Sequence, residues 1–155
     1  MKLENNLPFK SIVLAALVLL APLISNSATR TSDANKKTVA AFYNMAFNLH
    51  QPKEAMEKYV GEKYVQHNPF VADGKQPFID FFLEFYKKYP AAHTDIKRIL
   101  ADGDLVVVHT HSKIDDHDLG RAVMDIFRIE NGKIVEHWDV SQNIPEKSAN
   151  DNTMF

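Results

Sequence analysis

The chain has 155 residues, 45% hydrophobic and 25% charged, which sets the expectation of one globular domain with room for a sizeable core. A net charge of −2 and a pI near 6.4, with no basic run longer than a Lys-Lys pair, exclude the electrostatic footprint of a nucleic-acid binder. The absence of cysteine excludes disulfides and a cysteine-linked lipid anchor, so the core itself must hold the fold.

Lys2 and Lys10 flank a weakly basic start, followed by the apolar run SIVLAALVLLAPLI and the small residues SNSA. That order is the layout of a secretory signal peptide, predicted here over residues 1–28 with cleavage after Ser27 or Ala28. The apolar run is shorter than a spanning helix and broken by Pro22, so an uncleaved anchor is the lesser alternative. The mature chain is then expected in the periplasm or outside the cell, with no membrane segment after signal removal.

From Asp33 to about Leu49, Val39, Phe42, Tyr43, Ala46 and Phe47 fall on one helical stripe, with Ser32 or Asp33 available as an N-cap. QPKEAMEKYV restarts a short helix with Pro52 in its first turn. After the stretch KYVQHNPF, a third helix runs from about Pro77 to Tyr89 and stops at Pro90. Its Phe78, Phe81, Phe82 and Phe85 form an aromatic stripe that helical spacing alone explains as core.

From Thr94 the period changes to that of strands. TDIKRILADGDLVVVHTHSKI reads as a hairpin turning at Asp102-Gly103, and RAVMDIFRIENGKIVEHWDV as a second turning at Asn131-Gly132. Three helices followed by antiparallel strands predict an α+β domain over residues 29–145, the helices covering one face of a curved sheet. The polar tail 146–155 is expected to fray.

Two-residue turns predict which residues share a face. Across Asn131-Gly132, Asp125 would oppose Trp138, Phe127 would oppose Glu136, and Val123, Ile129, Ile134 and Val140 would join them. His137 and Asp139 would lie on the reverse face with Met124 and Ile126. Across Asp102-Gly103, His109 and His111 would share the apolar side with Leu105 and Val107.

An inward Asp125 beside Trp and Phe is notable because desolvation disfavours a charged carboxylate, which suits a general acid/base. An ion pair of Asp125 with Arg98 or Arg121, or a hydrogen bond to a histidine with no chemistry, is the equal alternative. His109-x-His111 on a strand also admits a metal site, but it would need Asp125 or His67 as a third ligand, and metal is the minor reading. The remaining histidines, His137 among them, are expected at the surface.

YVQHNPFVADGKQPFIDFF, ILADGDLVVVHTHSK and VMDIFRIENGKIVEHWDV together resemble the SnoaL-like polyketide cyclases of the nuclear transport factor 2-like superfamily, over about Asn35 to Pro145. The resemblance implies a cone-shaped α+β barrel of three helices on a curved antiparallel sheet, with one deep pocket. It also implies an aldol-type acid/base reaction that needs no metal or cofactor. Asp125 matches the general acid/base, His109 and His111 its polar neighbours, and His67 and Asn68 a polar pair at the pocket mouth. Trp138, Phe127, Phe82 and Phe85 would wall the pocket around a small hydrophobic carbonyl compound. A homodimer formed through the reverse face of the sheet is a further implication. The superfamily also contains noncatalytic ligand binders, which is the alternative function.

Overall fold

The computed structural model describes residues 21–155, with side chains from residue 28 onward. Most of the predicted signal segment, including its apolar run up to Leu20, lies outside the described residues. Helix α1 (Ala21–Tyr43) runs into a π-helical turn, Asn44–Asn48. It begins well before the predicted cap, and Asp33 instead pairs with Lys36 one turn on at 2.8 Å. Helix α2 is Pro52–Tyr59, with Pro52 in its first turn as expected. Strand β1 (Val60–Gln66) and helix α3 (Lys75–Lys88) follow. Strands β2 (His93–Asp102), β3 (Leu105–Lys113), β4 (Arg121–Glu130) and β5 (Lys133–Asn143) complete the chain. Among the described residues no helix is long and apolar enough to cross a membrane.

The sheet order is β1-β5-β4-β3-β2. Four strands are antiparallel, but β1 lies parallel to β5, so the expected all-antiparallel sheet is in fact mixed. Strand β1 is too short and polar in sequence to announce itself, since it occupies a sheet edge and buries only Val60 and Tyr64. The helices cover one face. Phe42, fully buried, touches Tyr43, Phe47, Phe78 and Phe127, and this aromatic cluster joins α1, α3 and β4. Asn48 ties the end of the π-helical turn to the β2 edge by bonding both the Thr94 N–H and its carbonyl.

The two hairpins form where predicted, with registers that differ. Asn131 and Gly132 both have positive φ, as a type I′ turn requires. Glu130 opposes Lys133 and Ile129 opposes Ile134, but a bulge then adds one residue to β5. Beyond it Phe127 opposes His137, Ile126 opposes Trp138, and Asp125 opposes Asp139. One extra residue turns every later side chain of β5 to the other face. Trp138 and Glu136 therefore lie on the convex face, and His137 and Asp139 on the concave one.

In the first hairpin the loop is Gly103-Asp104, one residue later than predicted, with Asp102 opposite Leu105. The buried face of β3 is Val106, Val108 and Thr110, which oppose Phe127, Asp125 and Val123 of β4. Leu105, Val107, His109 and His111 point to the convex side. The continuous Val106-Val107-Val108 run gave no alternation from which to choose between the faces. The C-terminal tail does not simply fray: Phe155 returns to the convex face and stacks on His111, with ring centroids 4.7 Å apart.

Candidate active site

The concave face of the sheet and the helices enclose a cavity of about 480 Å³. Its apolar wall includes Phe78, Phe82 and Phe85 from α3 and Phe127 from β4. Alternate residues of β4 climb from floor to mouth: Phe127, Asp125, Val123 and Arg121 all line it.

Asp125 is only 7% exposed and both of its oxygens are engaged. Tyr43 donates its hydroxyl to Oδ2, and His137 Nε2 lies 2.8 Å from Oδ1. The far side of the imidazole fixes its tautomer. Gln66 Oε1 accepts the Asn68 backbone N–H at 3.0 Å and faces His137 Nδ1 at 2.8 Å, so Nδ1 carries a proton. The contact between Nε2 and Asp125 then needs one proton between them. It is either an imidazolium with a carboxylate or a neutral imidazole with a carboxylic acid. Such a pair can accept or return a proton within the cavity.

Burial, with the adjacent Asp125 charge and its hydrogen bond, pushes the Tyr43 phenol well above the usual tyrosine range. Burial, followed by the charges of Asp125 and Asp139, raises Tyr64 as well. Both phenols are therefore fixed as neutral groups. Asp139 opposes Asp125 across the strands, and Asn68 Nδ2 holds its two oxygens at 2.8 and 3.0 Å. Thr110, 1% exposed, lines the same cavity, and its Oγ1 has no hydrogen-bond partner among the described residues. It lies near enough to the Tyr43 phenol to oppose the rise in that group.

The sequence model of the SnoaL-like domain family matches residues 39–137, a span containing Tyr43, Asp125 and His137. The protein belongs to the SnoaL-like domain family. Solved structures repeat its fold. A SnoaL-like protein of unknown function from Burkholderia thailandensis superposes with a TM-score of 0.60 at 16% identity, covering 71% of this chain and 96% of that one. A candidate SnoaL-like polyketide cyclase from Jannaschia sp. gives 0.59 at 13% identity, with 71% and 86% covered. AclR from Streptomyces galilaeus, described as a candidate hydroxylase, gives 0.57 at 16% identity, with 70% and 88% covered. No curated protein matches. At these identities the neighbours establish the cone-shaped α+β fold of the SnoaL-like family.

Of the site residues expected from the sequence, this SnoaL-like cavity brings together Asp125, Phe127, Asn68, Phe82 and Phe85. Four others lie outside it. Trp138 is turned out by the β5 bulge, and His67 follows it, stacking on the indole at 4.5 Å and reaching Glu136 at 2.9 Å. His109 and His111 face the convex side, where Arg98 Nη1 meets His109 Nδ1 at 3.0 Å and His111 Nε2 meets the Leu119 carbonyl at 2.8 Å. They cannot contact a ligand beside Asp125. Neither expected ion pair forms, because Asp125 bonds Tyr43 and His137 and neither Arg98 nor Arg121. Among the described residues no three His, Asp or Glu side chains converge as a metal site would require.

Sequence reasoning missed Tyr43, Gln66, Thr110, His137 and Asp139. The last two carried a signal, since His137-x-Asp139 is a polar i, i+2 pair on a strand opposite Asp125. Tyr43 was read as one more member of the apolar stripe. Its hydroxyl is the polar handle that such a ring brings into a core.

Proposed function

We propose that this protein is an acid/base enzyme that moves a proton at the carbon α to a carbonyl of a small hydrophobic molecule. The observation that carries the reading is the buried Asp125 carboxylate on the cavity wall, oriented by His137 and Tyr43. Each carboxylate oxygen keeps a second lone pair, so Asp125 can take the substrate proton while these bonds persist. Charge then develops on the carbonyl oxygen. The Thr110 hydroxyl is the unpaired donor at hand to receive it, in the role the family resemblance would have given to His109 and His111. Phe82, Phe85 and Phe127 shield the reacting atoms from water. Structural neighbours described as polyketide cyclases favour ring closure of the aldol type as the overall change, and isomerisation or dehydration would begin with the same proton transfer.

A second reading, ligand binding without turnover, is favoured by the engagement of both Asp125 oxygens. Deuterium exchange separates the two. In D₂O, a flat ketone such as 2-tetralone should gain deuterium next to its carbonyl faster with the wild-type protein than in buffer. Asp125→Asn should cut that acceleration by about 10² or more and leave ketone binding within a fewfold. Binding without exchange by the wild-type protein would establish the second reading.

We propose export on the layout of residues 1–28. We also propose a homodimer through the convex face, where Leu100, Met124, Ile126 and Val140 leave apolar surface open to solvent.

A further inference from the structure

The cavity has a second polar end that the proton chemistry does not use. Ser112 and Arg121 oppose each other where β3 and β4 reach the mouth, with Thr94 beside Ser112 on β2. Lys113 and Arg121 both line this mouth. Asp118 is the one carboxylate beside them on the cavity lining, and its two oxygens are taken by the backbone N–H groups of Ile114 and Gly120, each at 2.9 Å. Among the described residues no carboxylate comes within ion-pair distance of Arg121 or Lys113. Lys113 reaches only the Asp116 carbonyl, at 3.1 Å. Asp115 and Asp116 belong to the same loop but do not line the cavity, so on the cavity side of the rim two cations face one carboxylate.

The same mouth is apolar on its other side. Phe70 and Phe81 line it while remaining 93% and 57% exposed. An aromatic lip beside unpaired cations is the pattern that receives an amphiphile with a negative head. The inner end of the cavity sets the rest of the molecule. Four residues of strand separate Arg121 from Asp125, or about 13 Å, and the groups between them on this face include Val123 and Thr110.

We propose that the ligand is an elongated, flat apolar anion whose carboxylate or similar group sits on Arg121 and Lys113, with its reactive carbonyl about 13 Å deeper, beside Thr110 and Asp125. This rests on the reading of the cavity as a small-molecule site and adds the charge and length of the molecule. The two ends then act separately: the rim selects and orients, and the inner carboxylate reacts. Remote binding at the rim holds the α carbon against Asp125.

Two dyes with one aromatic body test this, 1-anilinonaphthalene-8-sulfonate and its uncharged parent N-phenyl-1-naphthylamine, in fluorescence titrations on the full mature chain. They should displace each other from the wild-type protein. Arg121→Gln with Lys113→Gln should weaken the sulfonate dye about tenfold and leave the neutral dye within twofold. Raising salt should weaken only the sulfonate dye in the wild type, a measurement that needs no variant to fold. Unchanged sulfonate binding in the double variant, equal loss of both dyes, salt-independent sulfonate binding or failure of mutual displacement would each overturn the proposal. Neutral-dye binding that persists through such a failure leaves the cavity reading standing. Absence of neutral-dye binding to the wild type would remove the cavity reading itself.

Discussion

The two faces of this one sheet differ in where each departs from the usual placement of residues. The concave face, covered by helices, buries Asp125, Thr110 and most of His137 and Asp139. The convex face, open to solvent, shows Val140 at 70% exposure and Leu100 at 65%. Burying polar groups is costly unless they are bonded, and those on the concave face are bonded to one another, with Thr110 the exception. The polar bonds described on the convex face, among them those of His67, Arg128 and Glu136 and of Arg98 with His109, lie at or near solvent. Polarity inside therefore marks the candidate site, and apolarity outside marks a surface that another surface can cover.

The sharpest way to break this contrast is a pair of substitutions. Asp125→Asn should cost about 10²–10⁴ in proton-exchange rate, while His111→Asn on the other face leaves the rate unchanged. Equal losses in the two exchange assays would show that the faces are not functionally distinct. Next in size is stability. Phe42→Ala, at the centre of the aromatic cluster, should cost about 3–5 kcal/mol in urea unfolding. Val140→Ser on the convex face should stay within about 0.5 kcal/mol for a monomer. A larger loss that grows with protein concentration would mean that the convex face is covered in a dimer.

Two pH effects follow, one for each face. Inside, burial raises Tyr43, Tyr64 and Tyr86 above the ordinary value of 10.0. These phenols ionise first in the unfolded chain, so their share of stability is intact below pH 10 and falls as pH rises beyond it. Tyr43→Phe should make alkaline unfolding less steep, read by circular dichroism. Outside, the hydrogen bond from His67, then that from Arg128, holds Glu136 below the ordinary glutamate value of 4.5. Its contribution is present above 4.5 and lost as pH falls through the depressed value. Glu136→Gln should thus differ from wild type near neutrality and converge with it in acid, a small effect visible in melting temperature.

The sequence was most readable where local chemistry decides the outcome. Asn131-Gly132 forces its turn, Pro52 starts its helix, and the Phe78 to Phe85 spacing places one stripe against the core. Strand β1 escaped because its pairing partner is β5, about seventy residues later, and no local pattern encodes such a contact. The site was half readable. Asp125 stood out as a carboxylate amid apolar residues, but its partners His137 and Asp139 were assigned to the reverse face. Sequence alone favours Trp138 for the cavity because the apolar residue of an alternating pair normally faces inward. In this sheet the inner face holds a cavity with polar groups set among apolar ones, and a bulge moved the register as well.

The β5 bulge has a genetic meaning. Deleting Val135, the bulge residue, a loss of three nucleotides, would remove the bulge and leave His137 opposite Phe127 and Asp139 opposite Asp125. Closing the bulge with Val135 retained would instead turn Trp138 to the cavity and His137 and Asp139 to solvent. Which residue of β5 meets Asp125 is thus set by the bulge as much as by its being histidine, and a pairing drawn straight through that bulge would report a different candidate site.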